Sequence, residues 1–449
     1  MRIASRRWGF MVSSIAAVTL GAALLVHAAD PPDKQESVKP AAESAATGMG
    51  DMATPEPQPI AEFVNKGIDW LVAAQHENGG WGAGTHANQQ LRDPHKVQLD
   101  PATTAFAASA LLRAGHTPTD GKYSKNVRRA TEYLCGVVEE YTKDGAKITD
   151  LTGTQIQAKL GPLVDTAMTS QYLARVLPQI PAGDKLHARV DAALDKCLKK
   201  LHEGQQKDGS WNVAGGWAPV LQSSLGCSAL ELAQVAGKKV DGKALDKARD
   251  YQKGNFDTKS GRIDAEKGAG VALYAFSGAQ RANAAEARAA DELVAKAKEA
   301  GKLEADAKPT ADNLRKIGVD APAASKLAAA GEAIAAQAKQ VDNEGLLRGF
   351  GNNGGEEFLS FCLSSESLVI GGGEKWNDWN KKMHDRLGKA QSADGSWSGH
   401  HCITSPVFCT AAVVQCLTTD RDAKMLVELA RKAAEQTGKV AERTAKKGS

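Results

Sequence analysis

At 449 residues and 42% apolar content, the chain can bury a large core and suits a water-soluble globular protein. A formal net charge of +3 gives no electrostatic case for an anionic surface, and no nucleic-acid partner is expected. Aromatic residues make up only 5%, yet eight of them are Trp. The first elements lie at the N-terminus. Arg2, Arg6 and Arg7 precede an apolar run from Trp8 to Val26, and Val26-His27-Ala28 supplies a small-residue cleavage site, so residues 1–28 are expected to be a signal peptide. The protein is then exported, or membrane-anchored if the segment is not cleaved. Residues 29–59 are rich in Ala, Pro, Ser and Glu and are expected to form a disordered linker. Seven cysteines in an exported chain permit disulfides, with at least one thiol left over. Cys409 and Cys416 share one predicted helix, about 10 Å apart along its axis, so they cannot bridge each other and are expected in the core.

From Ile60 the apolar spacing is helical, with no strand-like alternation. Residues 61–75 carry an apolar face of Phe63, Val64, Ile68, Leu71 and Val72. Asp100 as N-cap, Pro101 at the first helical position and Gly115 beyond the end punctuate a helix over 103–114 that is apolar all round. The contrast repeats along the chain. Charged amphipathic helices are predicted at 123–141, 184–206, 244–253 and 375–390. Apolar ones are predicted at 162–177, 219–236, 269–276, 356–370 and 406–417. Five or six hairpins of one wet and one dry helix are satisfied together if the dry helices form an inner ring inside the wet ones. That is an all-α fold, an α/α toroid spanning 60–420, whose inner helices run parallel and bring their N-termini to one rim. Residues 277–349 lack aromatics and are dominated by Ala, Lys and Glu, so they are expected to form an inserted helical arm leaving the ring, a candidate protein-binding element. Residues 421–449 complete the chain as a charged helix with a basic tail.

Three segments share one spacing: Gln75, Gly79 and Trp81; Gln205, Gly209 and Trp211; Gln391, Gly395 and Trp397. These glutamine–tryptophan repeats on alternating helices resemble those of the terpenoid cyclase and protein prenyltransferase superfamily, as in the squalene–hopene cyclases, over roughly 60–419. The resemblance implies a toroid in which each Gln amide stacks on its Trp and ties an outer helix to its neighbours. Asn78-Gly79 and Asp394-Gly395 provide the tight turn that such packing requires. The motif speaks for fold rather than chemistry. The superfamily's cyclases protonate carbon with an acid in D-x-D-D-T-A. Here Asp100-Pro101-Ala102-Thr103-Thr104-Ala105 keeps the first Asp and the closing Thr-Ala, while Val164-Asp165-Thr166-Ala167 keeps the last Asp but has Val164 where the other acid should be. Its prenyltransferases hold zinc with Asp-x-Cys and a distant His, and Ala167 stands at the Cys position.

What remains is a polar set at the predicted N-termini of inner helices: Asp100, Asp165, Glu356 and Glu357 as candidate catalytic carboxylates, and His400, His401 and Cys402. Helix dipoles favour anions at such a rim. Imidazole and thiolate with one carboxylate suit zinc, which makes His401, Cys402 and His400 a candidate metal site. The ordinary roles for the same residues are helix capping by the acids and a disulfide at Cys402. Trp376 and Trp379 are expected in the core. Two functions stand: a binding scaffold whose central cavity holds an apolar, isoprenoid-like or peptide ligand, and a divergent enzyme with a rebuilt rim site, metal- or carboxylate-dependent, acting on isoprenoids or glycans. The missing cyclase acids and zinc ligands favour the scaffold.

Overall fold

Helix starts along this chain are set by side chains that satisfy orphan N–H groups. Asp100, Asp184, Asp241, Asp320 and Ser405 each accept a backbone N–H from the first turn they cap, and Thr154 with Gln157 closes a capping box. Prolines stand in the first turns at Pro101, Pro219 and Pro406. The computed structural model describes residues 53–445, save 214, 352 and the side chains beyond 436. The expected signal peptide and the expected linker as far as residue 52 lie outside the described residues. Among those described there is no strand, only two isolated bridges, and no helix is long and apolar enough to cross a membrane.

The helices follow as α1 (Glu62–Ala73), α2 (Pro101–Arg113), α3 (Ser124–Glu140), α4 (Gln155–Lys159), α5 (Val164–Val176), α6 (Lys185–Gly204), α7 (Pro219–Val235) and α8 (Gly242–Lys253). Next come α9 (Ala272–Glu299), α10 (Ala311–Lys316), α11 (Ala321–Gln337), α12 (Glu344–Leu347), α13 (Gly355–Gly371), α14 (Glu374–Gly388), α15 (Pro406–Leu417) and α16 (Ala423–Ala445). Helices α2, α5, α7, α9, α13 and α15 each pack on the next, and α15 packs back on α2. That closed ring of six, with α1, α3, α6, α8, α11 and α14 as its outer partners, is an α/α toroid. Within the ring the inner helices are buried on every face: all of α2 but Leu112, all of α5 but Gln171, α13 from Gly355 to Ile370, and α9 from Leu273 to Ala290. No side of them faces solvent, the side toward the ring axis included. The expected central cavity is therefore corrected: the axis is filled by the inner helices' own side chains.

The expected arm is corrected as well. Residues 273–290 form the buried first part of α9, an inner helix of the ring, and α11 lies along α9 in the outer position. Alanine spacing misled here because a helix packed at close range needs small residues, not large apolar ones: Ala289, Ala290, Ala324, Ala328 and Ala330 are all buried. The C-terminal helix is also part of the structure, since α16 packs on α7, α9 and α13.

The three repeats fold into one construction. Each Gln amide donates to the carbonyl of its own turn glycine and to a carbonyl near the start of the next outer helix. Gln75 reaches Gly79 (2.8 Å) and Asn126 (3.0 Å), Gln205 reaches Gly209 (3.1 Å) and Ala244 (2.8 Å), and Gln391 reaches Gly395 (2.8 Å) and Phe63 (2.7 Å). Each indole N–H donates ten residues back, to the carbonyls of Leu71, Leu201 and Leu387. Each Trp backbone N–H donates 2.9 Å to a hydroxyl of the following inner helix, Thr104, Ser223 or Thr410. The turn glycines have φ of 93°, 91° and 92°, and a Cβ on Gly209 would lie 2.1 Å from the Lys247 carbonyl oxygen. The last repeat bonds to the first helix, so it closes the ring.

Opposite the repeats' rim, charges fill the ring. Arg113 and Arg175 both hold Glu366 (2.5 and 2.8 Å) and both hold Asp422, just before α16. Arg281 joins Glu366 (3.0 Å) to Glu231 (2.8 Å), and Arg249 carries the chain on to Glu286. The three arginines hold the Glu366 carboxyl far below its usual range against the opposing effect of burial. Removing one member leaves buried charges unpaired, at about 3–5 kcal/mol.

Three substitutions test this account by chemical denaturation. Trp397→Ala should lose about 3–5 kcal/mol. Gly209→Ala should lose at least about 1–3 kcal/mol from the positive φ alone. Asp422→Asn should cost several times what a surface Asp→Asn costs, and an equal loss would refute the docking role given to the network.

Candidate functional site

The inner helices start together at the opposite rim. Asp165 at the start of α5 accepts the Ala102 N–H of α2 (3.1 Å), Glu356 at the start of α13 accepts the Ile403 N–H before α15 (3.2 Å), and Tyr274 at the start of α9 donates to Glu357 (2.6 Å). The parallel arrangement thus gathers the sequence's polar candidates at one end, but into two separate groups.

The first group is Asp100 and Asp165, both buried. Asp100 accepts from Thr103 N (2.7 Å) and Ala83 N (2.9 Å); Asp165 accepts from Ala102 N and from the Gln157 amide (2.7 Å). Every carboxylate oxygen has a donor, and the pair fixes the α2 start, the Trp81 loop and α4. Burial and the neighbouring Asp165 push Asp100 up to about 7, and burial raises Asp165.

The second group is Glu356 and Glu357 with residues 349–351, 353–355 and 398–404 around them. Glu357 accepts Tyr274 OH (2.6 Å), Phe350 N (2.9 Å) and Gly354 N (3.0 Å). Burial, with a contribution from Glu357, drives the Tyr274 hydroxyl far above its normal range, so it remains a donor. Gly349 and Gly354 admit Glu357 because a Cβ on either would lie 2.4–2.5 Å from its oxygens. Two non-glycine residues there take left-handed backbone, Asn353 (φ 49°) and Cys402 (φ 56°), and the His400 N–H donates to the Asn353 carbonyl (2.9 Å). Such strain persists only where surroundings enforce it. Burial first and Glu357 second push Glu356 up to about 8. Its Oε2 accepts from Ile403, and its Oε1 is buried without a hydrogen-bond partner.

His401 Nε2 stands 3.9 Å from Glu357. Burial, then Glu356, pushes the Cys402 thiol up to about 12. Among the described residues no three or more His, Cys, Asp or Glu side chains are placed to hold a metal ion, so the zinc site expected at His401, Cys402 and His400 is corrected. His400 is exposed and points its backbone, not a shared ligand geometry, into the site. All seven cysteines are free and buried, Cys402, Cys409 and Cys416 included, and Trp376 and Trp379 are core residues.

Sequence reasoning missed the outer surface of this rim. Trp217 is 37% exposed and Phe350 54%, and their rings meet edge to face at 5.2 Å. Phe350 also meets His401 at 5.1 Å, and the Lys159 ammonium lies 5.1 Å from the Trp217 ring. Beside them is a hollow of about 200 Å³ whose exposed lining is mostly apolar, with Leu151, Ala158 and Pro162 beside Lys147, Thr152 and Gln157. The signal available in sequence was an aromatic residue beside glycines, in Gly215-Gly216-Trp217 and Gly349-Phe350-Gly351.

The folded state holds protons on Asp100 and Glu356 that an unfolded chain, with values of 3.8 and 4.5, releases first. Their contribution to stability is therefore present at pH 4 and lost as pH rises toward 8, by up to about 1.4 kcal/mol per pH unit for each proton. Denaturation profiles should show Glu356→Gln flattening this decline between pH 5 and 8.5; an unchanged slope would refute the assignment. No known protein family matches the sequence, and no curated protein matches it. Among solved structures, the chain is similar to an inactive variant of the α-1,6-mannanase GH76A of Salegentibacter sp. HEL1_6 in complex with α-1,6-mannotriose, at 10% identity and TM-score 0.48, covering 81% of this chain and 99% of that one. It is also similar to the type II terpene cyclase MstE from Scytonema, at 12% identity and TM-score 0.39, covering 81% and 98%. Both likenesses are low, and the α/α toroid rests on the closed ring of this chain's own helices.

Proposed function

We propose that this chain is a binding toroid that takes an apolar, isoprenoid-like or peptide ligand on the rim at the inner helices' N-termini. One observation carries the reading: Trp217 and Phe350, in edge-to-face contact on that rim, are the strongly exposed large apolar side chains among the described residues. Such side chains anchor recognition because they bury much area at little entropic cost. The filled axis moves the ligand from the centre of the ring to its face. The charged and then apolar start of the sequence supports an exported location.

A second reading, a divergent enzyme using the rim carboxylates, is supported by Glu356, an acid shifted toward neutral pH in a buried site. Asp100 and Asp165 support it less, because all four of their oxygens are engaged by the fold.

Calorimetric titration with farnesol and with short peptides ending in an aromatic residue tests the binding reading. Trp217→Ser/Phe350→Ser should weaken whichever ligand binds by at least about tenfold, the effect of losing one hot-spot side chain. Binding unchanged in that variant would overturn the rim as the recognition face.

A further inference from the structure

The hollow beside Trp217 is built by short segments that the backbone locks together. The Trp217 N–H donates to the Ala158 carbonyl (3.1 Å) and the Ala218 N–H to the Lys159 carbonyl (2.7 Å), which lays the end of α4 along residues 216–218. Gly216 is required there, since a Cβ on it would lie 2.7 Å from the Leu160 carbonyl oxygen. Residues 151–153 are held by the Gln157 amide, which donates to the Leu151 carbonyl (2.9 Å), and by the His86 N–H on the Gly153 carbonyl (2.9 Å). The polar atoms of Gln157 are spent on the fold, because its amide also donates to Asp165 (2.7 Å) and its oxygen accepts the Thr154 N–H (3.4 Å). Against a ligand the hollow therefore presents chiefly the half-buried side chains of Leu151, Ala158 and Pro162. The charged residue in its lining is Lys147. Two lysines close to it are occupied: Lys143 pairs with Asp150 (2.7 Å), and Lys200 donates to the Lys143 and Gly145 carbonyls (2.8 and 2.9 Å). Lys147 is exposed and has no carboxylate or carbonyl in contact among the described residues.

We propose that the hollow takes the tail of an anionic amphiphile, in its simplest form a straight-chain fatty acid. Its carboxylate meets the Lys147 ammonium, and its chain runs on Leu151, Ala158 and Pro162 toward Trp217 and Phe350. The proposal rests on the rim-binding reading and deepens it by naming the class of ligand. Charge complementarity selects the head, since a neutral chain would use the same walls and leave Lys147 unpaired. The walls select the tail. A peptide would bring N–H and C=O groups against side chains that cannot match them, whereas methylenes lose nothing there. The two contributions are unequal. Lys147 stands in water, so its pair is worth only the small amount of an exposed ion pair. Most of the affinity then comes from the tail, in proportion to the apolar area taken out of water. The rings of Trp217 and Phe350, 5.2 Å apart, extend that surface where a longer chain leaves the hollow. No backbone has to move for binding, because both rings and the walls already face solvent.

The test uses the full chain and calorimetric titration, below micelle-forming concentrations, with hexanoate, octanoate, decanoate and decanol. Affinity should rise along the acids by about fourfold per methylene. Decanoate should bind about threefold to fivefold tighter than decanol, the range of an exposed ion pair, and added salt should shrink that preference. Lys147→Gln should erase the preference for the acid while keeping the dependence on chain length, and Lys147→Arg should restore it. Ala158→Phe, which fills the hollow, should flatten the dependence on chain length. Circular dichroism on each variant confirms folding, and the exposed Lys147 variants keep the proposal testable if Ala158→Phe does not fold. Equal binding of decanoate and decanol, still weakened by Trp217→Ser/Phe350→Ser, would overturn this inference and leave the rim-binding reading standing. A preference for the acid that survives Lys147→Gln would overturn the placement of the head. An aromatic-ended peptide bound more tightly than decanoate would overturn the amphiphile as occupant. Failure of decanoate, farnesol and the peptides alike to bind would overturn both readings.

Discussion

The amides of Gln75, Gln205 and Gln391 each hold two carbonyls at once, one on the turn that ends an outer helix and one at the beginning of the next outer helix. Everything else in the ring inherits its register from that double contact. The turn must be tight, so its glycine takes positive φ and abuts the next helix's backbone. The tryptophan then falls inside, with its indole N–H on the outer helix and its backbone N–H on an inner-helix hydroxyl. Three such hydrogen-bonded corners, at α1–α3, α6–α8 and α14–α1, tie outer helices to one another around the circle. The amide does this by hydrogen bonding, which is a more directional tie than the stacking that the family resemblance implies.

With the circle fixed, its two ends differ in character. At one end arginine and glutamate side chains meet within the ring and fasten the segment leading into α16 through Asp422. At the other, helix N-termini present N–H groups, and carboxylates supply their acceptors. Dipole and capping arguments both place acids there. That is why an acid at this rim is weak grounds for catalysis: Asp100, Asp165 and Glu357 are fully engaged in holding loops. Glu356 differs from them, since its Oε1 is buried without a hydrogen-bond partner among the described residues.

Much of the architecture was legible because wet and dry helices differ in composition and the inner ring demands burial on all sides. Residues 100–114 and 406–417 carry that signature plainly. The α9–α11 region did not, since alanine-rich helices that pack closely look, by composition, like solvated ones. The rim carboxylates were legible as N-terminal residues, and the parallel ring correctly placed them at one end. The aromatic surface was not legible. Trp217 and Phe350 lie in glycine-rich loops far apart in sequence, and only the closed ring brings them to 5.2 Å. The expected metal site was not legible as absent, because only the folded positions show that no three His, Cys, Asp or Glu side chains among the described residues come together in ligand geometry.

The seam of the circle has a consequence for how the chain reaches its native state. Helix α1 rests on α15, Gln391 bonds to Phe63, the Trp70 indole donates to Asp394, and Gly67 lies against Trp397. A partner for the apolar face of Val64, Ile68 and Leu71 is therefore made more than three hundred residues after it. During synthesis the earlier hairpins can form locally, but the ring remains an open arc with an unsatisfied edge at each end until the last hairpin arrives. Contacts this distant in sequence close slowly because loop entropy must be overcome before they reward the chain. An open arc with two apolar edges is also a template for joining a second copy edge to edge. Slow closure and a tendency to interlock as pairs at high concentration are thus built into the same seam that makes the finished ring continuous.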